Sequence, residues 1–520
     1  MINRERCRMR VKLPLVLLPL IVFSLVRAQY WIRLYDGPSH LRDELLDLAL
    51  DPWGNVVVTG LTKIVVAQET VPFSLTMKYD PDGNCQWLRL QDINRGMSVA
   101  CDSSGNVFVA GSKVNIKYRP DGDVVWVRND RIFGSAVAVD RAGNAYVTGS
   151  IRDSITPIEE YAVTVKYGPD GKLQWMKVDS AGWWTVAIAL DSSGNVYVAG
   201  NAPGPAYLVM KYNSDGQLLW RRGANLQGYG MSIAVAPGGD VYVTGSLGRG
   251  SYDAIATVKY STDGEEQWVR IYNGPGWDWG YPVVIDNEGN CYVAGASGVQ
   301  PGPWPQFDFV TIKYSPAGEE LWVRRYDGGF NQDDVPHAIA VDSLKNVYVG
   351  GWDTPFQDTL GNYHAGYTLL KYDSMGNYLW RAIYTGPEGE GGEILAIEIG
   401  RDNNVYTAGV VFVDGNNVMR STDACIIKYS PDGPGVAESG AGREGSLFAL
   451  VPNPATRYFQ VRGAVGLSVV RLYDIAGKLV RVYQAEQTGN RFALAGIPAG
   501  VYLVKLRTPV REISRKLVVR

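Results

Sequence analysis

DSSGNVYVAG, residues 191–200, decides the fold. Its Asp-x-x-Gly-Asn opening is turn chemistry, and the Val-Tyr-Val run behind it is a β-branched and aromatic strand. The same strand reads GNVVVTG from Gly54, GNVFVAG from Gly105, GNAYVTG from Gly143, GDVYVTG from Gly239, GNCYVAG from Gly289, KNVYVGG from Lys345 and NNVYTAG from Asn403. With the copy at Gly194 that makes eight. Each is followed by a Lys-Tyr strand ending at Tyr79, Tyr118, Tyr167, Tyr212, Tyr260, Tyr314, Tyr372 or Tyr429. The period of about 50 residues is close to that of kelch-type propeller blades.

A Trp-bearing strand also occurs eight times, at Trp31, Trp87, Trp126, Trp175, Trp220, Trp268, Trp322 and Trp380. Its first copy precedes every other element, and the last unit stops at IIKYSPDG (426–433) without one. The orphan at the start complements the gap at the end. The expected fold is therefore all-β, an eight-bladed β-propeller with seven blades as the alternative, closed by the N-terminal strand. Closure leaves no open end blades for a solenoid cap to cover. Alternating apolar and polar residues over four short segments per unit favour antiparallel strands over helices.

In DPDG (80–83) the Pro presets φ and the Gly accepts a positive φ, so these acidic turns are read as turns rather than as calcium loops. Residues 1–28 read as a signal peptide: Arg4, Arg6, Arg8, Arg10 and Lys12 precede an apolar run, Leu13 to Val26, too short for a membrane span. Cys7 lies before that run, which excludes a lipoprotein anchor there. The domain division is then 1–28 signal, 29–433 propeller, 434–448 a small-residue linker and 449–520 a compact β-sandwich. The expected mature chain is secreted or on the cell surface, with no stable membrane span.

Cys85, Cys101, Cys291 and Cys425 stand singly, as small buried residues do, and no C-x-x-C pair suggests zinc. The net charge of −3 hides a division, because residues 449–520 hold twelve basic and three acidic residues and the signal is basic. The propeller region is thus strongly acidic. It would repel phosphate backbones, so no nucleic-acid partner is expected.

The C-terminal segment carries Asn453-Pro454, YDIAGK (473–478, with Asp474 and Gly477), GIPAGVY (496–502, with Gly500 and Tyr502) and a terminal KLVV (516–519). These motifs, in this order, resemble the C-terminal sorting domain of bacterial type IX secretion substrates, type A. The resemblance implies engagement of the type IX machinery, passage across the outer membrane, removal of this domain, and then surface attachment or release. The repeats resemble the bacterial beta-propeller repeat family and, more loosely, NHL repeats; that family is often seven-bladed.

Both stereotyped turns join strands within a blade and fall on one face of the ring, leaving the variable connections on the other. Loop variation on a rigid scaffold is where binding resides. Eight of the fifteen Trp hold the repeat position and Trp53 lies in a turn; the other six, Trp183, Trp184, Trp277, Trp279, Trp304 and Trp352, fall in variable-face connections. They are candidates to stack on sugar rings or anchor a protein partner. The bland alternative is packing between blades.

Acids share these connections: Asp43, Glu44, Asp278, Asp333, Asp334, Glu388, Glu390 and Glu393. Loops after the Trp strands lead to the innermost strands, so the acids are expected at the channel mouth. Asp333, Asp334, Glu388 and Glu390 are the candidate Ca²⁺ ligands there, or a glycosidase acid and base, against the plain reading of solvated loop acids. No cofactor is otherwise expected. His40, His337 and His364 are scattered, and neither H-E-x-x-H nor G-x-S-x-G occurs. The reading is an exported, non-catalytic binding or adhesion surface for an extracellular glycan or protein. A carbohydrate-active enzyme and a structural surface component are the alternatives.

Overall fold

The computed structural model describes residues 31–520 apart from 93, 153–159, 181, 183, 203–205, 250–251, 301–305, 331, 358–362, 388, 414–420, 434–448, 452–457, 463–468, 475–478, 485–490, 499, 508–511 and 520. The signal segment, Trp183, Trp304, Glu388, Asn453, Pro454 and Gly477 lie outside the described residues. The chain divides into two bodies, Met1–Glu438 and Ser439–Arg520. No helix among the described residues is long and apolar enough to cross a membrane.

The first body is made of four-stranded antiparallel units. Unit 1 comprises Asp43–Leu50, Val56–Val66, Glu69–Tyr79 and Cys85–Gln91, paired in that order. Units 2 (96–128), 3 (132–179), 6 (278–326) and 7 (335–384) repeat it. Units 4 and 5 share one long strand, Leu218–Val235, which is the outer strand of unit 4 and the inner strand of unit 5. Unit 8 has only three strands of its own, Gly392–Ile399, Val405–Phe412 and Thr422–Tyr429. Its fourth is Trp31–Tyr35, pairing Trp31 with Lys428 and Tyr35 with Ala424. Inner strands contact their neighbours from unit 1 to unit 8 and back to unit 1, so the ring closes.

The repeated residues are those that join unit to unit. The Lys of each third strand donates from Nζ to a turn carbonyl of the next unit: Lys78 to Pro120 at 3.2 Å, Lys211 to Thr262 at 2.8 Å, Lys313 to Ser374 at 3.0 Å. The indole N–H of the outer-strand Trp donates to the same carbonyl in several units, as Trp220 to Thr262 at 3.0 Å and Trp322 to Ser374 at 3.2 Å. At the seam Lys428 and Trp31 both reach Pro81 O, at 3.0 and 3.1 Å, although they come from opposite ends of the propeller. The Gly of each such turn faces that Trp. Gly216 has φ +79°, and a Cβ there would lie 2.8 Å from the Trp175 ring.

Every inner strand carries a β-bulge at one register, between Leu45 and Asp47 in unit 1 and between Gly230 and Ser232 in unit 5. The bulge presses the inner backbone onto the second strand. A Cβ on Gly60 would stand 1.9 Å from Glu44 O, and one on Gly245 1.9 Å from Tyr229 O. This close approach, and not a turn, is what requires the Gly that ends each Val-x-Val-x-Gly strand.

The second body has two antiparallel sheets, one of Ala449–Val451, Tyr458–Arg462 and Arg491–Ala493, the other of Leu479–Gln484, Val469–Asp474, Gly500–Arg507 and Glu512–Val519. Val470, Leu472, Phe492, Val504 and Leu517 form its core. Asp474 pairs with Tyr502, whose buried ring sends its hydroxyl to Pro498 O at 2.8 Å, and Gly500 opens that strand.

Candidate functional site

On the variable face, the residue two before the bulge residue holds the same place in every unit, Arg95 standing immediately ahead of its inner strand. In order around the ring these are Glu44, Arg95, Phe133, Trp184, Tyr229, Trp279, Val335 and Glu393. Four consecutive units therefore present an aromatic residue. Phe133 is 36% and Tyr229 46% exposed, and Trp184 and Trp279 are half-buried. The Arg152 guanidinium lies 5.0 Å from the Phe133 ring, and Trp279 stacks on Phe307 at 4.7 Å. Units 8, 1 and 2 are ionic at this level: Arg95 reaches across to Glu44 at 3.1 Å, and Arg42 holds the same carboxylate at 2.6 Å. His337, the bulge residue of unit 7, bridges the two arcs, 2.6 Å from Glu393 and edge-on to Tyr281.

Of the six off-register Trp, Trp277, Trp279 and Trp352 come together against Ala296, Phe307 and Val335 between units 6 and 7. Each is half-buried, neither free on a loop nor lost in the core. Trp184 stands apart, in the aromatic arc. Phe133, Tyr229 and Tyr281 escaped the sequence reading because the bulge inserts one residue into each inner strand. Aligning those strands on the turn residues that follow them, Asp140, Ala236 and Asp286, with one residue inserted is the signal that finds them.

Of the acids expected at the channel mouth, Glu44 and Glu393 lie in this ring, whereas the Asp residues are held apart from it. Asp43, Asp278 and Asp334 are fully buried at the entry of their inner strands. Each accepts the amide of the loop glycine ahead of it: Gly37 to Asp43 at 2.6 Å, Gly274 to Asp278 at 2.5 Å, Gly328 to Asp334 at 2.5 Å. Asp334 also accepts Thr354 N at 3.0 Å. Burial pushes Asp334 up to about 8, with the Asp353 and Asp327 charges adding to it. Burial likewise raises Asp43 to about 7 and, with Asp36 beside it, Asp423 to about 6. Desolvation rather than a catalytic partner sets these values. Asp333 is exposed and receives Phe307 N at 3.2 Å, while Glu390, in the connection from unit 7 to unit 8, sits 3.5 Å from His364. The described members of the proposed metal set are thus not brought together. Instead Asp334 groups with Asp308 and Asp327, and Asp43 with Asp36 and Asp423, each trio having ligand atoms within 4.8 Å of one another.

At the opposite, turn-bearing end of the channel lies a cavity of about 780 Å³ lined by Asp47, Ala49, Ser98, Ala100, Glu398 and Tyr406, among others. Asp47 bridges units by accepting Val99 N at 2.8 Å, as Ser98 does for Val137 and Ser232 for Val283, both at 3.3 Å. Glu398 occupies a register position that holds Ala in six units and Val284 in another. Water reaches its side chain, yet channel wall surrounds it, and this enclosure, with Asp47 nearby, raises it to about 7.

The acidic turns are closed by their own hydrogen bonds. Asp51 accepts the amides of Trp53 and Asn55 at 2.9 Å and the Asn55 side chain at 2.7 Å, and pairs with buried Lys78 at 2.8 Å.

Comparison with known proteins agrees with this architecture. Residues 449–520 match the secretion system C-terminal sorting domain, and residues 127–152 match the Beta-propeller repeat. The crystal structure of Sqt1 from Chaetomium thermophilum superposes with a TM-score of 0.52 at 11% identity, covering 76% of this chain and 99% of that one. The Dos1 propeller gives 0.49 at 9% identity, over 78% and 96%. An uncharacterized WD repeat-containing protein of Acanthamoeba polyphaga mimivirus is 31% identical over 139 residues, 23% of this chain and only 9% of that protein. The chain is a β-propeller repeat protein with a C-terminal sorting domain. That domain directs export by type IX secretion, to the cell surface or the extracellular space, and engages that machinery.

Proposed function

We propose that the propeller is a non-catalytic recognition module whose ligand, an extracellular glycan or protein, docks on the variable face at the aromatic arc. The carrying observation is the run Phe133, Trp184, Tyr229 and Trp279 at one register of four successive inner strands. Aromatic faces in a row suit a chain of sugar rings, or the apolar anchors of a protein partner, at low entropic cost. Recognition is favoured over hydrolysis because Asp43, Asp278 and Asp334 are engaged by their own loop amides.

A glycan and polysaccharide binding screen of the full chain, with each hit assayed for cleavage, tests this reading. The Trp184→Ala, Tyr229→Ala double variant is expected to weaken binding at least about tenfold, since truncating an aromatic anchor at the centre of an interface costs about 2 kcal/mol or more. Undiminished binding by that variant would remove the arc from consideration, and cleavage of a hit would replace recognition by catalysis.

A further inference from the structure

The two carboxylate trios occupy equivalent places in the ring. Asp36 and Asp327 each follow the outer strand, Asp423 and Asp308 each stand five residues before the third-strand Lys, and Asp43 and Asp334 each enter the next inner strand. Their charges are balanced differently. Between units 6 and 7, Arg325 donates to Asp308 at 3.2 Å and to Ser297 at 2.8 Å, Asp327 accepts Gly329 N at 2.7 Å, and Asp334 has an amide on each oxygen. That trio contains its own cation.

Between units 8 and 1 the equivalent of Arg325 is Leu34. The register fixes this, because Arg325 pairs with Val310 and Leu34 with Cys425, each three residues before the Lys. Arg42, the nearby guanidinium in sequence, is committed to Glu44. His40 pairs with Asp36 at 2.5 Å from an exposed side chain and, when protonated, also acts on Asp423 through its charge, while its carbonyl accepts the Ser421 hydroxyl at 3.2 Å. Asp43 is fully buried; its Oδ2 accepts Gly37 N at 2.6 Å, and its Oδ1 has only the Thr62 hydroxyl near it, which favours the charged carboxylate without making a hydrogen bond of good geometry. A buried carboxylate oxygen without a well-placed donor, facing two further carboxylates, is a costly arrangement unless a cation occupies it.

We propose that Asp36, Asp43 and Asp423 bind a calcium ion that clasps the seam where the N-terminal strand closes the propeller. The three come from the connection after the closing strand, the third strand of unit 8 and the inner strand of unit 1, so one ion ties together the two ends of the ring. Three carboxylates with no thiolate suit a hard cation, and Ca²⁺ accepts the irregular geometry and completing waters that Mg²⁺ resists. An exported protein meets Ca²⁺ at concentrations where extracellular modules, with dissociation constants of about 10⁻⁴–10⁻³ M, are loaded. The ion would stabilise the closed ring by binding only the folded state.

The test is thermal unfolding of the full chain in EDTA and in saturating Ca²⁺ or Mg²⁺, with terbium luminescence as a direct binding readout. Calcium is expected to raise the midpoint by about 2 °C or more, and magnesium to do markedly less. Leu34→Arg transplants the solution used between units 6 and 7. It should fold, match or exceed the wild-type midpoint in EDTA, and lose both the calcium shift and the terbium signal. Asp423→Asn should lose them too, whereas Asp308→Asn should keep them. Absence of a calcium shift and terbium signal in the wild type, or their persistence in Leu34→Arg, would overturn the site.

Discussion

The third-strand Lys shows most directly what a repeated residue does here. Lys211 is 5% exposed, yet it has a full set of partners: the Thr262 carbonyl at 2.8 Å, the Thr262 hydroxyl at 3.0 Å and the Tyr197 ring at 5.0 Å. All belong to the neighbouring strand or unit, so the charge is a fastener between units. Replacing it by Met keeps the stem and removes the charge, leaving Thr262 O with only the Trp220 indole. Lys211→Met should destabilise the propeller by about 1.5–3 kcal/mol, the range for hydrogen bonds to a charged group. Chemical denaturation of the full chain, read by Trp fluorescence, measures it. The Lys-Tyr pairs and the Trp were legible as repeats; that one carbonyl receives both was not, because donor and acceptor lie about a unit apart in sequence.

Among elements, the closing strand Trp31–Tyr35 carries a burden out of proportion to its five residues. It completes unit 8, places Trp31 against Tyr79 and Tyr406 at 6.2 Å each, and donates to Pro81. Trp31→Ala should therefore cost about 3–5 kcal/mol, as for a buried aromatic deleted from a core. Trp53, in a turn and 60% exposed, is the matched control, and Trp53→Ala should change stability by about 0.5 kcal/mol or less. Paired thermal denaturation curves distinguish the two; equal effects would mean that the seam does not depend on this strand. The phase shift of the Trp copies made the strand legible in the sequence. The bulges were not legible, since one inserted residue leaves the apolar alternation looking merely irregular.

At the scale of the whole molecule, ring closure creates an enclosed channel that no single unit possesses. Glu398 faces it from unit 8 and senses Asp47 of unit 1. Its proton is held more tightly folded than unfolded, so the folded state binds more protons between its ordinary value of 4.5 and about 7. The Glu398 contribution to stability should consequently fall as pH rises through that window. Glu398→Gln is expected to remove the Glu398 share of that slope, the remainder coming from Asp47, Asp43, Asp423 and Asp334, all likewise raised by burial. Midpoints of the variant and the wild type measured from about pH 5 to about pH 8 check this; parallel curves would show that Glu398 titrates normally.

The chain by itself determined the all-β class, the eightfold repeat, the strand that closes it and the sorting domain behind it. Each is written in local chemistry: turn residues, strand periodicity and contiguous motifs that act within a few residues of one another. Only the tertiary structure decided what the non-repeating residues do. Asp43, Asp278 and Asp334 look alike in sequence as loop acids, and all three brace glycine amides, yet Asp334 lies in a trio balanced by Arg325 while Asp43 faces Asp36 and Asp423 opposite Leu34. Phe133, Trp184, Tyr229 and Trp279 become one surface only because eight bulged inner strands stand side by side at a common register. Charge balance and aromatic adjacency depend on distances between residues tens to hundreds of positions apart, and those distances exist only once the ring has closed.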